Sequence, residues 1–201
     1  MDKSPKTCYI HGMKMKKITL ILLVICGTAL MMAACASLIQ AKAPDDAPKE
    51  VKKAVKNAPR NSLIGIGKAT GTASSQLSDT IAVARARTAI SRQLNTMVRD
   101  MISTYRAESS LDASAALAFE ENITVVLSGS TLTGSAVTCE VKDNKGTNWA
   151  VVVLPRKYAV AEIKRAQTQA KTKVPATAAV DITVHIDSAY DKAVSVGPQV
   201  Y

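Results

Sequence analysis

The chain has 201 residues, is 47% hydrophobic and only 3% aromatic, and carries a formal charge of +10. Much of the apolar fraction is alanine and valine, which predicts a thin core of small side chains, each burying little area. The single Trp, the single Phe and a basic excess spread along the chain exclude the dense basic face with interleaved aromatics that marks a nucleic-acid interface. Part of the charge sits at the start, where Lys3, Lys6, Lys14, Lys16 and Lys17 face only Asp2. Lys14, Lys16 and Lys17 precede an uncharged run, Ile18 to Met32. That run is short for a membrane span, which needs about 20 apolar residues. It suits the apolar region of a secretory signal peptide behind a basic segment. Met13 or Met15 is then the expected biological start, and residues 1–34 a signal peptide.

The run ends in Met32-Ala33-Ala34-Cys35. This resembles the bacterial lipobox, with methionine in place of the usual leucine. The resemblance implies cleavage after Ala34 and a diacylglycerol on the Cys35 thiol, so that Cys35 becomes an acylated N-terminus. Several acyl chains hold a protein on a bilayer where one would be marginal. Ala36 rather than aspartate follows Cys35, which favours the outer membrane by the sorting rule of enteric bacteria. Cys8 and Cys26 leave with the leader. Cys139 then has no partner for an intramolecular disulfide, and its alternating surroundings, "AVTCEVK", predict a small buried hydrophobe.

Residues 35–61, rich in Ala, Pro, Lys and Asp, read as the lipidated N-terminus and a flexible tether, with a short helix across Lys49–Asn57. It carries a modest basic cluster: Lys49, Lys52, Lys53, Lys56 and Arg60. A folded domain is expected over 62–173. "LIGIG" at Leu63–Gly67 reads as a first strand whose glycines admit a close neighbour. From about Ser78 to Glu108 the pattern is helical, with Ile90, Leu94, Met97, Val98, Met101, Ile102 and Tyr105 on one stripe. Leu111 to Phe119 is a second helical piece, and "ENITVVL" (Glu121–Leu127) is read as its continuation. Val137, Cys139 and Val141, the turn "DNKG" (Asp143–Gly146) and "TNWAVVVLP" form a β-hairpin. A last helix runs over about Arg156 to Lys173. The order β-α-(α)-β-β-α predicts an α+β fold: a small antiparallel sheet, first strand plus hairpin, packed against long helices on one face. In the tail, 174–201, Val180, Ile182, Val184 and Ile186 alternate like a strand, while Ile182, Ile186, Ala189 and Ala193 fit a helix. Both readings stay open.

"GIGKATG", the helix "IAVARARTAISRQL" and "WAVVVLPRKYAVAEIKRA" together resemble the twenty-kilodalton lipoprotein antigen family, Lpp-twenty. A similar unit opens the flagellar assembly protein FlgT. Gly65, Gly67 and Ala69 match its glycine segment, Ala82, Ala84, Arg85, Ala86 and Arg87 its helix, and Trp149 to Lys164 its final strand and helix. Leu154-Pro155-Arg156 departs from the Leu-Asp-Arg-like turn of relatives. The resemblance implies a cell-envelope lipoprotein or surface antigen of the outer membrane, not an enzyme, and supplies no site residues.

The residues offer little chemistry. The chain beyond the leader holds one histidine, His185, and no Gly-x-Ser-x-Gly elbow. Asp45/Asp46 sit in the tether, and Glu120/Glu121, sequence neighbours that point to different helix faces, read as solvated charge. Two cysteines and a histidine make no zinc site, and "DNKG" has too few carboxylates for a calcium loop. Lys68 is followed by Ala69, so the glycine segment lacks the hydroxyl of a phosphate-binding loop, and Gly71 is one residue late for the dinucleotide form. No catalytic, cofactor-binding or metal residue is assigned. The expected partners are a membrane, through the lipid anchor, and envelope proteins; nucleic acid and small-molecule cofactors are not. The reading is a non-enzymatic scaffold, assembly or surface-interaction protein; the alternative is a ligand-binding or hydrolytic domain on the same anchor.

Overall fold

The computed structural model describes residues 42–71, 74–109, 112–174 and 181–201. The expected signal peptide, Ala34 and Cys35 lie outside the described residues. The fold is α+β: four strands in one sheet, packed against helices. The strands are β1 (Ser62–Ala69), β2 (Ala136–Lys142), β3 (Asn148–Pro155) and β4 (Gln199–Val200), in spatial order β2-β3-β1-β4. β1 and β3 pair antiparallel along their whole length, Ser62 opposite Pro155 and Ala69 opposite Asn148. The expected hairpin is β2–β3, with a bulge between Val137 and Cys139.

The long helix α2 (Ser75–Glu108) begins where Ser74 accepts a hydrogen bond from the Leu77 backbone N–H, at 3.2 Å. Its expected stripe, Ile90 to Ile102, is buried. Its first half lies directly on β1 because Gly65 and Gly67 carry no side chain. A Cβ on Gly65 would stand 2.0 Å from the carbonyl oxygen of Ala86, and one on Gly67 1.9 Å from that of Ala82. Ordinary carbon contacts are about 3.5–4.0 Å, so only glycine fits. Gln93, buried in α2, donates to the Ile64 carbonyl at 2.8 Å and fixes the helix along the strand.

Helix α3 (Ala113–Ser128) runs through Glu121–Leu127 as expected, capped by the Asp112 side chain. Phe119, Ile123 and Leu127 face the main core. Helix α4 (Arg156–Lys171) follows Pro155 directly and buries Ile163, Ala166 and Ala170. In the tail the helical reading prevails. A 3₁₀ turn (Ile182–His185) leads into α5 (Ile186–Val196), with Ile182, Ile186 and Ala189 buried and Val184 71% exposed. Tyr190 of α5 donates to the Asn61 carbonyl at 2.9 Å. Burial pushes its hydroxyl up to about 12, with nearby Arg156 acting the other way. Residues 199–200 then add β4, parallel to β1, a pairing the hairpin reading did not contain.

Two expectations need correction. The described part of the expected tether is folded: α1 (Lys49–Asn57) buries Val51 and Val55, with Ala43 and Ala47, against Ile64, Ile66, Trp149, Val151 and Val153. Helices therefore cover both faces of the sheet, not one. The physical reason is β3, whose side chains are buried on both sides almost to its end; a bare second face would leave Trp149 and four β-branched residues in water. Cys139 is half-buried at the edge of this second cluster, and burial raises its thiol above its ordinary value.

Candidate interaction surface

The richest polar surface lies where β1, the β2–β3 turn and the start of α1 meet. The turn is built by Asp143. Its Oδ1 accepts from the backbone N–H groups of Lys145 and Thr147, both at 2.8 Å, and its Oδ2 from the Trp149 indole at 3.0 Å. The indole bond first, then the backbone donors, hold this carboxyl below the usual aspartate range. Trp149 is thereby fixed with its ring under the Lys68 ammonium, 4.4 Å from the ring centroid. Lys68 also pairs with Asp46 at 2.7 Å, and that hydrogen bond lowers the Asp46 carboxyl. Arg85 of α2 donates to the Lys68 carbonyl at 2.5 Å. Together these residues line an open groove of about 660 Å³, bordered by Lys49, Glu50, Lys142 and Lys145.

Lys68 is thus committed to an aromatic face and a carboxylate, and the glycines beside it to contact with α2. Gly65 and Gly67 lie in β1, and Gly71 follows the strand with a positive φ of 74°.

Next to the groove, α1 presents a line of charge. Val51 and Val55 point into the sheet, and Lys49, Lys53 and Lys56, at i, i+4 and i+7, emerge on the opposite side, all exposed. Among the described residues no ion pair joins these three lysines or Arg60 to a carboxylate. Lys52 donates to the Asp45 carbonyl at 2.7 Å.

Other polar groupings lie outside the groove lining. Ser130 donates to Glu162 at 2.9 Å, and Arg165 donates to the same oxygen at 2.6 and 3.1 Å. Burial would raise the Glu162 carboxyl, but these hydrogen bonds outweigh it and hold it below its ordinary value. The Ser130 hydroxyl also accepts from the Leu132 backbone N–H at 3.1 Å. His185 stands 3.3 Å from Glu108, edge-on to Tyr105, beside a smaller hollow with Lys192 and Asp100. Glu120 pairs with Arg99 at 3.0 Å, Glu121 is exposed, and Asp45 pairs with Lys42; of these acids and Asp46, only Asp46 lines the groove. Among the described residues no three His, Cys, Asp or Glu side chains gather to hold a metal ion, and no helix is long and apolar enough to cross a membrane.

Sequence reasoning missed the Asp46–Lys68–Trp149–Asp143 chain of contacts. Its one legible signal is the chain's only Trp, placed just after an Asp-initiated turn. Asp46 could not be placed, since it lies 22 residues from Lys68.

No family model, curated protein or solved structure matches the chain.

Proposed function

We propose that the protein is a bacterial outer-membrane lipoprotein, held by an acylated Cys35 and working as a non-enzymatic scaffold, assembly or surface-interaction protein of the cell envelope. One observation carries this reading: a basic segment, an uncharged apolar run and small residues lead directly to Cys35. A cysteine at that point is what lipid attachment requires and what a simple secretory signal does not. The resemblance to the twenty-kilodalton lipoprotein antigen family belongs to the same proposal and rests on the three quoted motifs.

Labelled palmitate should enter the wild-type chain and be absent from Cys35→Ser; equal labelling of both would overturn the anchor. For the domain, crosslinking in intact envelopes should recover specific protein partners. The groove over Trp149 favours a second reading, a ligand-binding domain on the same anchor. Under that reading Trp149 fluorescence would shift on titration with envelope-derived small molecules, and Lys68→Gln would abolish the shift.

A further inference from the structure

We infer that the outer side of α1 is a membrane-facing surface that rests on anionic phospholipid headgroups. The inference rests on the anchoring of Cys35 proposed above. Only residues 36–42 lie between Cys35 and the first buried residue of the folded unit, Ala43. Fully extended, that much chain reaches about 30 Å. An acylated Cys35 therefore keeps the start of the folded unit within about 30 Å of the bilayer.

The element that begins there is α1. Its apolar residues are consumed by the sheet, so it has nothing to insert into lipid. What remains outside is Lys49, Lys53 and Lys56, exposed and without carboxylate partners among the described residues. Lys142, which ends β2, and Lys145 of the β2–β3 turn share the groove with Lys49, beside the carboxylates of Asp46, Glu50 and Asp143. Glu50 is the only carboxylate within the helix, and it borders the groove. A lysine near an anionic bilayer strengthens attachment by roughly fivefold. A lipid anchor that already supplies proximity turns that weak attraction into a fixed orientation. The contact is electrostatic, so salt must weaken it. Nucleic acid would also meet a lysine line, but the surface lacks the stacking aromatics that would hold it: Trp149 is 3% exposed.

The test uses the full chain, matured and purified from bacterial membranes and reconstituted into vesicles of phosphatidylcholine, alone or mixed with phosphatidylglycerol. Lysines are acetylated briefly and read by peptide mass spectrometry, and the intact mass reports the acyl chains on Cys35. In the mixed vesicles, Lys49, Lys53 and Lys56 should react about fivefold more slowly than in phosphatidylcholine. Salt at about 1 M, where the screening length falls to about 3 Å, should restore their rate. Lys164 and Lys171 of α4 should react equally in both. Acylated protein with equal rates at the α1 lysines, or with protection at α4 instead, overturns the inference and leaves the anchor standing. A mass without acyl chains overturns the anchor and this inference with it.

Discussion

The two faces of the sheet are covered in different ways. On one, α2 lies against β1 at backbone distance, its own small Ala82 and Ala86 seated over Gly65 and Gly67. Its apolar stripe continues past the sheet into a core shared with α3, α4 and α5. On the other, a nine-residue helix with two buried valines lies over large side chains. The first cover is intimate and extended, and opening it would expose most of the core. The second is small, and its helix start has no side-chain cap. Local stability follows buried apolar contact. The deep face is therefore where the fold is held, and the α1 face is where it is loosest.

The sharpest way to break this contrast is Gly67→Val. Its Cβ falls on the Ala82 carbonyl, so α2 must lift from the sheet; a loss of about 3 kcal/mol or more is expected in urea denaturation. The double change Val51→Ala/Val55→Ala should cost less, roughly 2 kcal/mol, and mostly locally. Hydrogen exchange should accelerate across 49–57 and Trp149 fluorescence should shift red, while α2 amides keep their protection; uniform acceleration would show the two faces to be one cooperative unit. Asp143→Ala removes the acceptor of two backbone groups and the indole, with about 1 kcal/mol expected from thermal denaturation and a mobile Trp149 ring.

Acid gives the smallest effect, on the deep face. Asp181 accepts from Thr183 and Gln167 at the start of the 3₁₀ turn. These bonds, the Thr183 hydroxyl first, lower its carboxyl to about 2. A carboxyl lowered in the folded state stabilises it above the unfolded value, and that contribution fades as pH falls from about 5 to 2. Discounted for its exposure, this is about 1 kcal/mol. Asp181→Asn should flatten that part of the pH profile of the melting temperature.

How far each region was legible follows the same contrast. The deep face announces itself, because the α2 stripe repeats over many turns and paired glycines in a strand leave close approach as their physical use. The hairpin was legible from its alternation and Asp-initiated turn. The α1 cover was not, since Val51 and Val55 are a single i, i+4 pair among lysines, weaker than any helix signal that predicts docking. The informative residues were distant: "NWAVVVLP" is unbroken, as strands buried on both faces are, and it implied a second cover. β4 is two residues long, below any pattern. The tail was ambiguous because Ile182 and Ile186 satisfy both periods, and only Val184, in water, separates them. As for the candidate surface, the lysine cluster was visible in the sequence, but its single-sided presentation depends on what the valines bury.

The position of β1 in the sheet has a consequence for how the molecule is made. β1 is the first strand among the described residues, yet it stands between β3 and β4, and residues 66–68 exchange backbone hydrogen bonds with Tyr201. A chain emerging in order from a ribosome or a translocation pore offers this strand long before either neighbour exists. Pairings so distant along the chain fold slowly. The expectation is a vectorial delay: the sheet closes only after the last residues of the chain have emerged. Refolding followed by Trp149 fluorescence should be slow compared with a helical bundle of similar length, and a sub-millisecond phase carrying the full amplitude would contradict it.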